Sequence, residues 1–375
     1  MAEIKANTYS VFISKNIAKE INWFLNANEN RYSKLFILVD ENSLKYCYPQ
    51  LVVEIPAFED AEIIEIESGE ENKNIEICTQ IWAALSEYVA ERHSLLVNLG
   101  GGVIGDMGGF IASTFKRGIR FINIPTTLLS QVDASVGGKV GIDLNHLKNE
   151  IGLFSNPSAV FVNTGFLSTL DKRQLLSGFA EIIKHALITD LAYWKKVKKI
   201  SFDNFEKLED LVVTSIQIKN KIVKEDPLEK NIRKTLNFGH TIGHALETFF
   251  LEQPQVKKQL LHGEAVAIGM ICETYLSHCV LKLPASTLKE ITSFILSVYN
   301  PIHLFEKDSQ RLIELMYHDK KNENGELNFS LISSIGTCEI NNVVSTDLVK
   351  EALNYYSKEV KNYLHHRLTT LGEIE

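Results

Sequence analysis

Two histidines four residues apart, His240 and His244 in "LNFGHTIGHALETFF", are the first pair in this chain that could do chemistry together. On a helix, positions i and i+4 share a face, so both imidazoles could reach one ligand. The pattern H-E-x-x-H uses that spacing to hold zinc beside a glutamate base. Here Thr241 stands where that glutamate would be. Other donors lie elsewhere in the chain: Glu181 and Lys184, three apart in "AEIIKH", and His262, just before an apolar helical run in "LLHGEAVAIGM". A catalytic zinc site takes three nitrogen or oxygen ligands from the protein and keeps one position open. Glu181 with two of His240, His244 and His262 meets that count. Spacing leaves open which histidine is spare, and equally whether these are a surface glutamate and packed imidazoles.

A second candidate is "LGGGVIGDMGG" at 99–109, where Gly100, Gly102 and Gly105 fit G-x-G-x-x-G. Glycines after a strand let backbone approach a pyrophosphate, and the following helix N-terminus favours its charge. The loop does not lie on the first strand–helix unit. The next strand, "RFINIP", runs to Pro125 without an acidic residue, so Asp40 at the end of an upstream strand is the better ribose candidate. The alternative is a tight turn without a ligand. A third stretch, 126–152, is rich in glycine and polar groups. Gly137-Gly138-Lys139 could bring N–H groups and an ammonium to one anion, with Lys148-Asn149 a second set and Asp133 nearby. A plain surface loop would use the same residue types.

These residues need elements to position them. "KLFILVD", "AEIIEIES", "SLLVNLG", "RFINIP" and "AVFVNT" are short apolar runs, most ending at turn-forming residues, with helix-length stretches such as 74–90 and 105–115 between several of them. That rhythm predicts a mostly parallel sheet covered by helices. From about residue 170 the pattern turns helical: "DKRQLLSGFAEIIKHALITD" with Asp171 as N-cap, then 205–225, 235–250, 262–282, 286–299 and 345–367. "LNFSLIS" is a late strand signal. The fold class expected is an α/β N-terminal domain with a Rossmann-like, mostly parallel sheet, followed by an all-α C-terminal domain. The boundaries expected are 1–170 for the nucleotide-binding part and 171–375 for the helical metal- and substrate-binding part.

Composition sets limits. The 375 residues are 45% hydrophobic and 23% charged, with a formal net charge of −8. This is ordinary for a globular protein of about two domains, and it argues against nucleic acid as a partner. An anionic ligand then needs a local basic cluster. Cys47, Cys78, Cys272, Cys279 and Cys338 form no C-x-x-C pair, which fits a reducing cytoplasm. The sequence "MAEIKANTYS" has no signal-peptide core, and no apolar run is expected to approach the roughly 18 residues of a membrane span, so no membrane partner is expected.

Taken in order, "GGGVIGDMGGF", "KRGIRFINIPTTLLSQVDASVGGKVGID", "LKNEIG", "SGFAEIIKHALI", "LNFGHTIGHALE" and "LHGEAVAIGM" resemble the 3-dehydroquinate synthase family of the sugar-phosphate cyclases. The resemblance covers nearly the whole chain and implies the dehydroquinate synthase-like two-domain fold. It implies Glu181, His240 and His262 as metal ligands, zinc first and cobalt second, with His244 facing the substrate phosphate instead. It places Asp40, Glu70, Lys73, Gly102, Val103, Ile104, Gly105, Asp106, Thr126, Thr127, Lys148, Phe166, Leu167, Ser168 and Thr169 at NAD-contacting positions, and Lys139 beside both cofactor and phosphate. Asn149, Asn237 and Lys320 (or its neighbour Lys321) fall on the phosphate side. Lys219 and Arg233 match a carboxylate clamp, and Asp133 and Lys184 match groups around the reacting hydroxyls. Arg117 matches an arginine reaching a neighbouring subunit, which implies a homodimer. Some positions depart from the family pattern: Glu150 for an apolar residue, Asp171 for proline, Asp226-Pro227 for Asp-Glu, and a longer segment at 248–260.

The reaction so implied is conversion of 3-deoxy-D-arabino-heptulosonate 7-phosphate to 3-dehydroquinate and phosphate, in the shikimate route to aromatic amino acids. Transient oxidation by NAD acidifies the proton next to the leaving phosphate. β-Elimination, re-reduction, ring opening and an intramolecular aldol closure follow. Rival readings are another sugar-phosphate cyclase and a metal-dependent alcohol or glycerol dehydrogenase. Lys139, Asn149, Arg233 and Asn237 argue against the dehydrogenase, which needs neither phosphate pocket nor carboxylate clamp.

Overall fold

Most apolar runs of the first half become parallel strands buried on both faces, as in "KLFILVD", "SLLVNLG" and "AVFVNT", whereas the edge strand from "AEIIEIES" is largely half-buried or exposed. The computed structural model describes residues 1–144, 147–201, 205–252, 259–304, 306–317 and 326–372. Its elements begin with β1 (Ala2–Lys5), β2 (Ser10–Ser14), α1 (Ala18–Asn26), β3 (Leu35–Asp40), α2 (Glu41–Tyr46), α3 (Tyr48–Val52), β4 (Glu62–Ile66), α4 (Ile75–Glu87), β5 (Leu95–Gly100), α5 (Gly102–Thr114) and β6 (Arg120–Pro125). A single π-helical turn, Ser130–Ala134, leads to the hairpin β7 (Lys139–Leu144) and β8 (Leu147–Phe154), and then to β9 (Ala159–Asn163).

Among the described residues these strands form a seven-stranded sheet in the order β1-β2-β9-β6-β5-β3-β4, parallel throughout except for the β1–β2 pair. Side chains alternate between its faces, as the two-residue period requires. Ile37 and Val39 of β3 join one core cluster with α1 and Phe161, while Phe36 and Leu38 join the other with α4 and α5. The hairpin β7–β8 occupies most of the second half of the stretch 126–152, for which a plain surface loop is the alternative reading. Val140 and Ile142 alternate into the second cluster, and Gly141 and Gly152 face each other where a Cβ would press on the opposite backbone.

The chain continues through α6 (Lys172–Thr189), α7 (Leu191–Val197), α8 (Phe205–Glu225), α9 (His240–Leu251), α10 (His262–Leu281), α11 (Ala285–Val298) and α12 (Ser309–Tyr317). It ends with the antiparallel ribbon β10 (Asn328–Ser334) and β11 (Thr337–Val343), and then α13 (Thr346–Gly372). Asp171 starts α6 as expected: its carboxylate accepts from Arg173 N at 2.9 Å. The chain forms two compact units: Met1–Gly178 with Phe202–Lys224, and Phe179–Ser201 with Glu225–Glu375. The first unit is an α/β structure, and the second is helical with one β-ribbon.

One sequence expectation is amended. Helix α10 is long and apolar enough to cross a membrane by length and composition, but 67% of its apolar window is buried inside the protein. It is apolar nearly all round because it is the central helix of its unit, packed by α9, α11, α13 and β10. All five cysteines are free thiols, with Cys47, Cys78 and Cys272 buried.

Candidate active site

Helix α6 delivers Glu181 and Lys184 on one face, both essentially without solvent exposure. Helix α9 opens with His240, and α10 opens with His262. Glu181 Oε1 lies 3.4 Å from His240 Nε2 and 3.6 Å from His262 Nε2. The ammonium of Lys184 sits against Glu181 Oε2. Among the described residues, neither oxygen of Glu181 has a partner in hydrogen-bonding geometry, although both are buried. Two ligands about 2.1 Å from one ion at a tetrahedral angle stand roughly 3.4 Å apart. The two spacings in the structure are close to that edge, and the donor types, one carboxylate and two imidazoles, suit a zinc-like ion.

The imidazoles are oriented from behind. His240 Nδ1 lies 3.1 Å from Phe238 O, and His262 Nδ1 lies 3.2 Å from Glu247 Oε2. The ring of His244 is 5.3 Å from that of His240 and 5.9 Å from that of His262, centroid to centroid. Burial, with the Lys184 charge, pushes His240 down to about 3. Burial also works against His262, but the Glu247 and Glu181 carboxylates outweigh it and lift the ring to about 9. For Glu181, burial opposes the charged form, yet Lys184 and His240 hold it well below the usual carboxylate range.

The start of α9 depends on close backbone approach. Gly239 has φ 81, and a Cβ there would lie 2.6 Å from Met270 Cγ. A Cβ on Gly269 of α10 would collide with the carbonyl oxygen of Gly239. Glu273, fully buried on α10, accepts from Gly239 N at 2.6 Å and from Ile242 N at 3.2 Å. A neighbouring helix thus supplies the N-terminal cap that α9 lacks in its own sequence. Glu247 and Glu273 escaped sequence reading, though signals existed. Glu247 continues the His240–His244 face at i+7, and Glu273 lies three turns along α10 from His262.

In the same unit, Asp226 organises the segment that carries Arg233. Its carboxylate accepts from the backbone of Lys230, Asn231 and Arg233 at 3.0, 2.6 and 3.1 Å. Arg233 is buried and donates from Nη1 to Pro227 O at 2.7 Å, and Asn237 Nδ2 donates to Glu229 Oε1 at 3.0 Å.

In the α/β unit, β5 ends at Gly100 and α5 begins at Gly102, so the glycine loop is a strand-to-helix turn. Side chains at Gly102 or Gly105 would meet nothing within 4 Å, whereas Gly108 packs on Asn98 and Gly109 on Val140. The open glycines therefore present the helix N-terminus, and the later pair seats the helix on the sheet and the hairpin. Thr126 N donates to Gly100 O at 2.9 Å, and Thr127 lies beside Gly101. Ile104 turns into the core, and the half-buried Val103 packs against it. Lys73, buried, donates to Asp106 Oδ2 at 2.7 Å and to Asn149 Oδ1 at 2.6 Å. Glu70 Oε1 lies 3.5 Å from Lys148 Nζ. The structure thus gathers Glu70, Lys73, Asp106, Lys148 and Asn149 into one polar network.

Asp40 ends β3 but gives one oxygen to Ser43 N at 2.7 Å as the cap of α2. Phe166 and Leu167 are buried, Phe166 within the core, while Ser168 and Thr169 are exposed. Lys139 is exposed at the start of β7. Lys219 of α8 is held at Asp133, 2.5 Å from Oδ1 and 2.6 Å from its carbonyl oxygen. Lys320 and Lys321 lie outside the described residues.

Family models settle the ancestry. Residues 63–177 match the 3-dehydroquinate synthase N-terminal model, and residues 178–322 match the C-terminal model. The chain belongs to the 3-dehydroquinate synthase family. A family member from Parabacteroides distasonis is 48% identical over 92% of this chain and 97% of its own. One from Clostridium acetobutylicum is 37% identical over 93% and 97%. Among solved structures, 2-deoxy-scyllo-inosose synthase complexed with carbaglucose-6-phosphate, NAD+ and Co2+ has a TM-score of 0.80 at 23% identity, covering 94% of this chain and 99% of its own. The 2-epi-5-epi-valiolone synthase from Streptomyces hygroscopicus, with NAD+ and Zn2+ bound, also has a TM-score of 0.80, at 24% identity over 96% and 99%. These two share the fold. An iron-containing alcohol dehydrogenase follows at a TM-score of 0.67 and 14% identity, covering 96% of this chain and 99% of its own.

Proposed function

We propose that this protein converts 3-deoxy-D-arabino-heptulosonate 7-phosphate to 3-dehydroquinate and phosphate as a cytoplasmic homodimer. The observation that carries the reading is the Glu181–His240–His262 set, two of its members buried and His262 half-buried, in a chain matched by both family domains. NAD and a divalent metal are the cofactors we infer, since the two cyclase neighbours were solved with NAD+ and with Co2+ or Zn2+. Zinc is our assignment among ions these donors could hold. When bound, NAD supplies reversible hydride transfer and the metal supplies a Lewis acid for neighbouring hydroxyls.

The chain's own groups position and neutralise. In the α/β unit, residues 1–170 carry the nucleotide role. The open N-terminus of α5 receives the pyrophosphate, with Asp40, Glu70, Lys73, Asp106, Thr126, Thr127, Lys148 and the turn Phe166, Leu167, Ser168, Thr169 around the rest of NAD. Lys139 and Asn149 serve the phosphate side. Lys219, kept in place by Asp133, binds one oxygen of the substrate carboxylate. In the part from 171 onward, Arg233 offers that carboxylate its fork of donors, and Asn237, His244 and Lys320 serve the phosphate. Lys184 and Asp133 orient the hydroxyls at the reacting carbons. The substrate phosphate takes the adjacent proton as it leaves, so the chain's task is to hold one conformer of a reactive intermediate.

Arg117 supports the dimer reading. It is exposed, and Lys116, Arg117 and Gly118 have φ of 50, 69 and 105. Two non-glycine residues in the left-handed region cost about 1–3 kcal/mol each and are usually kept for a purpose. Presenting Arg117 to a second copy supplies one.

The test is to give metal-loaded protein the heptulosonate phosphate with catalytic NAD, following phosphate and 3-dehydroquinate together. Equal release of both, with no lasting NADH, is expected. Phosphate without dehydroquinate moves the protein to another cyclase. NADH accumulating on simple polyols, without phosphate, moves it to the dehydrogenases.

A further inference from the structure

The metal ligands proposed above account for Glu181, His240 and His262, but not for the carboxylate behind His262. Glu247 is 4% exposed, and its Oε2 lies 3.2 Å from His262 Nδ1. The other nitrogen of the same ring, Nε2, is the one 3.6 Å from Glu181 Oε1. The two nitrogens of an imidazole point in widely different directions, so an ion held at Nε2 has Glu247 on the far side of the ring. His240 is arranged likewise, with Nε2 toward Glu181 and Nδ1 toward Phe238 O. Both histidines therefore have an acceptor for an Nδ1 proton, a backbone carbonyl for one and a buried carboxylate for the other. A ligand histidine needs that proton on the nitrogen away from the ion, and the acceptor fixes tautomer and ring orientation together.

We infer that Glu247 is a positioning residue for the metal site, accepting the Nδ1 proton of His262 so that Nε2 is held toward Glu181 and His240. This rests on the metal reading of those three residues. Helix geometry explains why one residue can do it. Glu247 lies seven residues after His240, two turns along the same face of α9, and so reaches the ring of His262 on α10. His244, Glu247 and His262 also bring donor atoms within 4.8 Å of one another. The competing assignment makes Glu247 a ligand of an ion at that set.

The experiment compares wild type, Glu247→Gln, Glu247→Ala and His262→Ala after metal removal. Cobalt and zinc affinities are measured against a chelating dye, with cobalt absorption spectra and metal stoichiometry. One ion per chain is expected. Glu247→Ala should weaken binding about 10- to 100-fold and alter the cobalt bands. Glu247→Gln keeps an acceptor oxygen and should stay within about 10-fold of wild type. Unchanged affinity in Glu247→Ala overturns the inference, as do a Gln variant as weak as the Ala variant and two ions per chain. Imidazole nitrogen NMR of zinc-loaded wild type gives a reading that needs no variant: His262 must carry its proton on Nδ1, and the opposite tautomer overturns the assignment. If wild type holds no ion, or His262→Ala holds it as tightly, the metal reading itself falls and takes the role of Glu247 with it.

Discussion

His240 and His244 share a helix face but not a task. His240 is pinned between Phe238 O and Glu181, while the half-buried His244 stands beside it without belonging to the Glu181 set. His240→Ala should abolish stoichiometric metal, and His244→Ala should keep it while turnover falls about 100-fold or more, the range for loss of one positioned proton-transfer or charged group. Metal analysis after dialysis, set beside the phosphate-release rate, checks this, and equal metal loss would remove the division of roles. Residue spacing offered the three donors but not the choice between the histidines. Both lie on one face of α9, and only the arrival of Glu181 from another helix separates them. Glu247 and Glu273 were hidden for a related reason. A carboxylate in a helical run reads as a solvated face until packing shows it buried.

The start of α9 is the element on which the candidate metal site depends. Glu273→Ala removes the acceptor for Gly239 N and Ile242 N and leaves two buried donors, which should lower stability by about 2–4 kcal/mol. Metal affinity should fall with it, since His240 is the first residue of that helix. Thermal unfolding with and without metal measures both effects. Gly269→Ala drives a methyl into Gly239 O, so the two helices must part, at a cost of about 1–3 kcal/mol or more.

The Asp226 turn gives a pH-dependent case. Burial opposes its charge, but the three backbone donors and Arg233 hold its carboxyl below the usual value. A depressed folded-state value contributes stability above the unfolded pKa, and that contribution is lost as pH falls through the folded one. Asp226→Ala should therefore cost about 2 kcal/mol at neutral pH, with the gap to wild type closing below about pH 4. A gap that persists in acid would mean that the charge is not the cause. The β7–β8 hairpin was the element least legible in sequence: Val140 and Ile142 are its buried alternation, and they are interrupted by Gly141 and surrounded by polar turn residues.

For the whole molecule, the strand–helix rhythm and the later helices were legible, because buried strands and amphipathic helices write their periods into the sequence. Strand order and the division into units were not, because they depend on contacts between distant residues. Helix α8 shows this. It reads as part of the helical half, yet it belongs with the sheet unit, tied there by Asn220 Nδ2 to Lys5 O at 3.0 Å and by Lys219 to Asp133. A fragment ending at Gly178 loses those ties and the buried face of α8. It should melt several degrees below the intact protein or aggregate, and calorimetry of fragment and full chain checks this. A fragment as stable as the whole would show that α8 is only an appendage.

The pairing of β2 with β9 also bears on how the protein is made. Val11 and Val160 are direct neighbours in the finished sheet, though about 150 residues separate them along the chain. At roughly 5–20 residues per second of synthesis, β2 waits on the order of ten seconds for that neighbour. During that interval Val11 and Ile13, both fully buried at the end, have only the short strand β1 as a sheet neighbour. A nascent chain in that state is a natural client for ribosome-associated chaperones, and a pause in translation before β9 would lengthen its exposure.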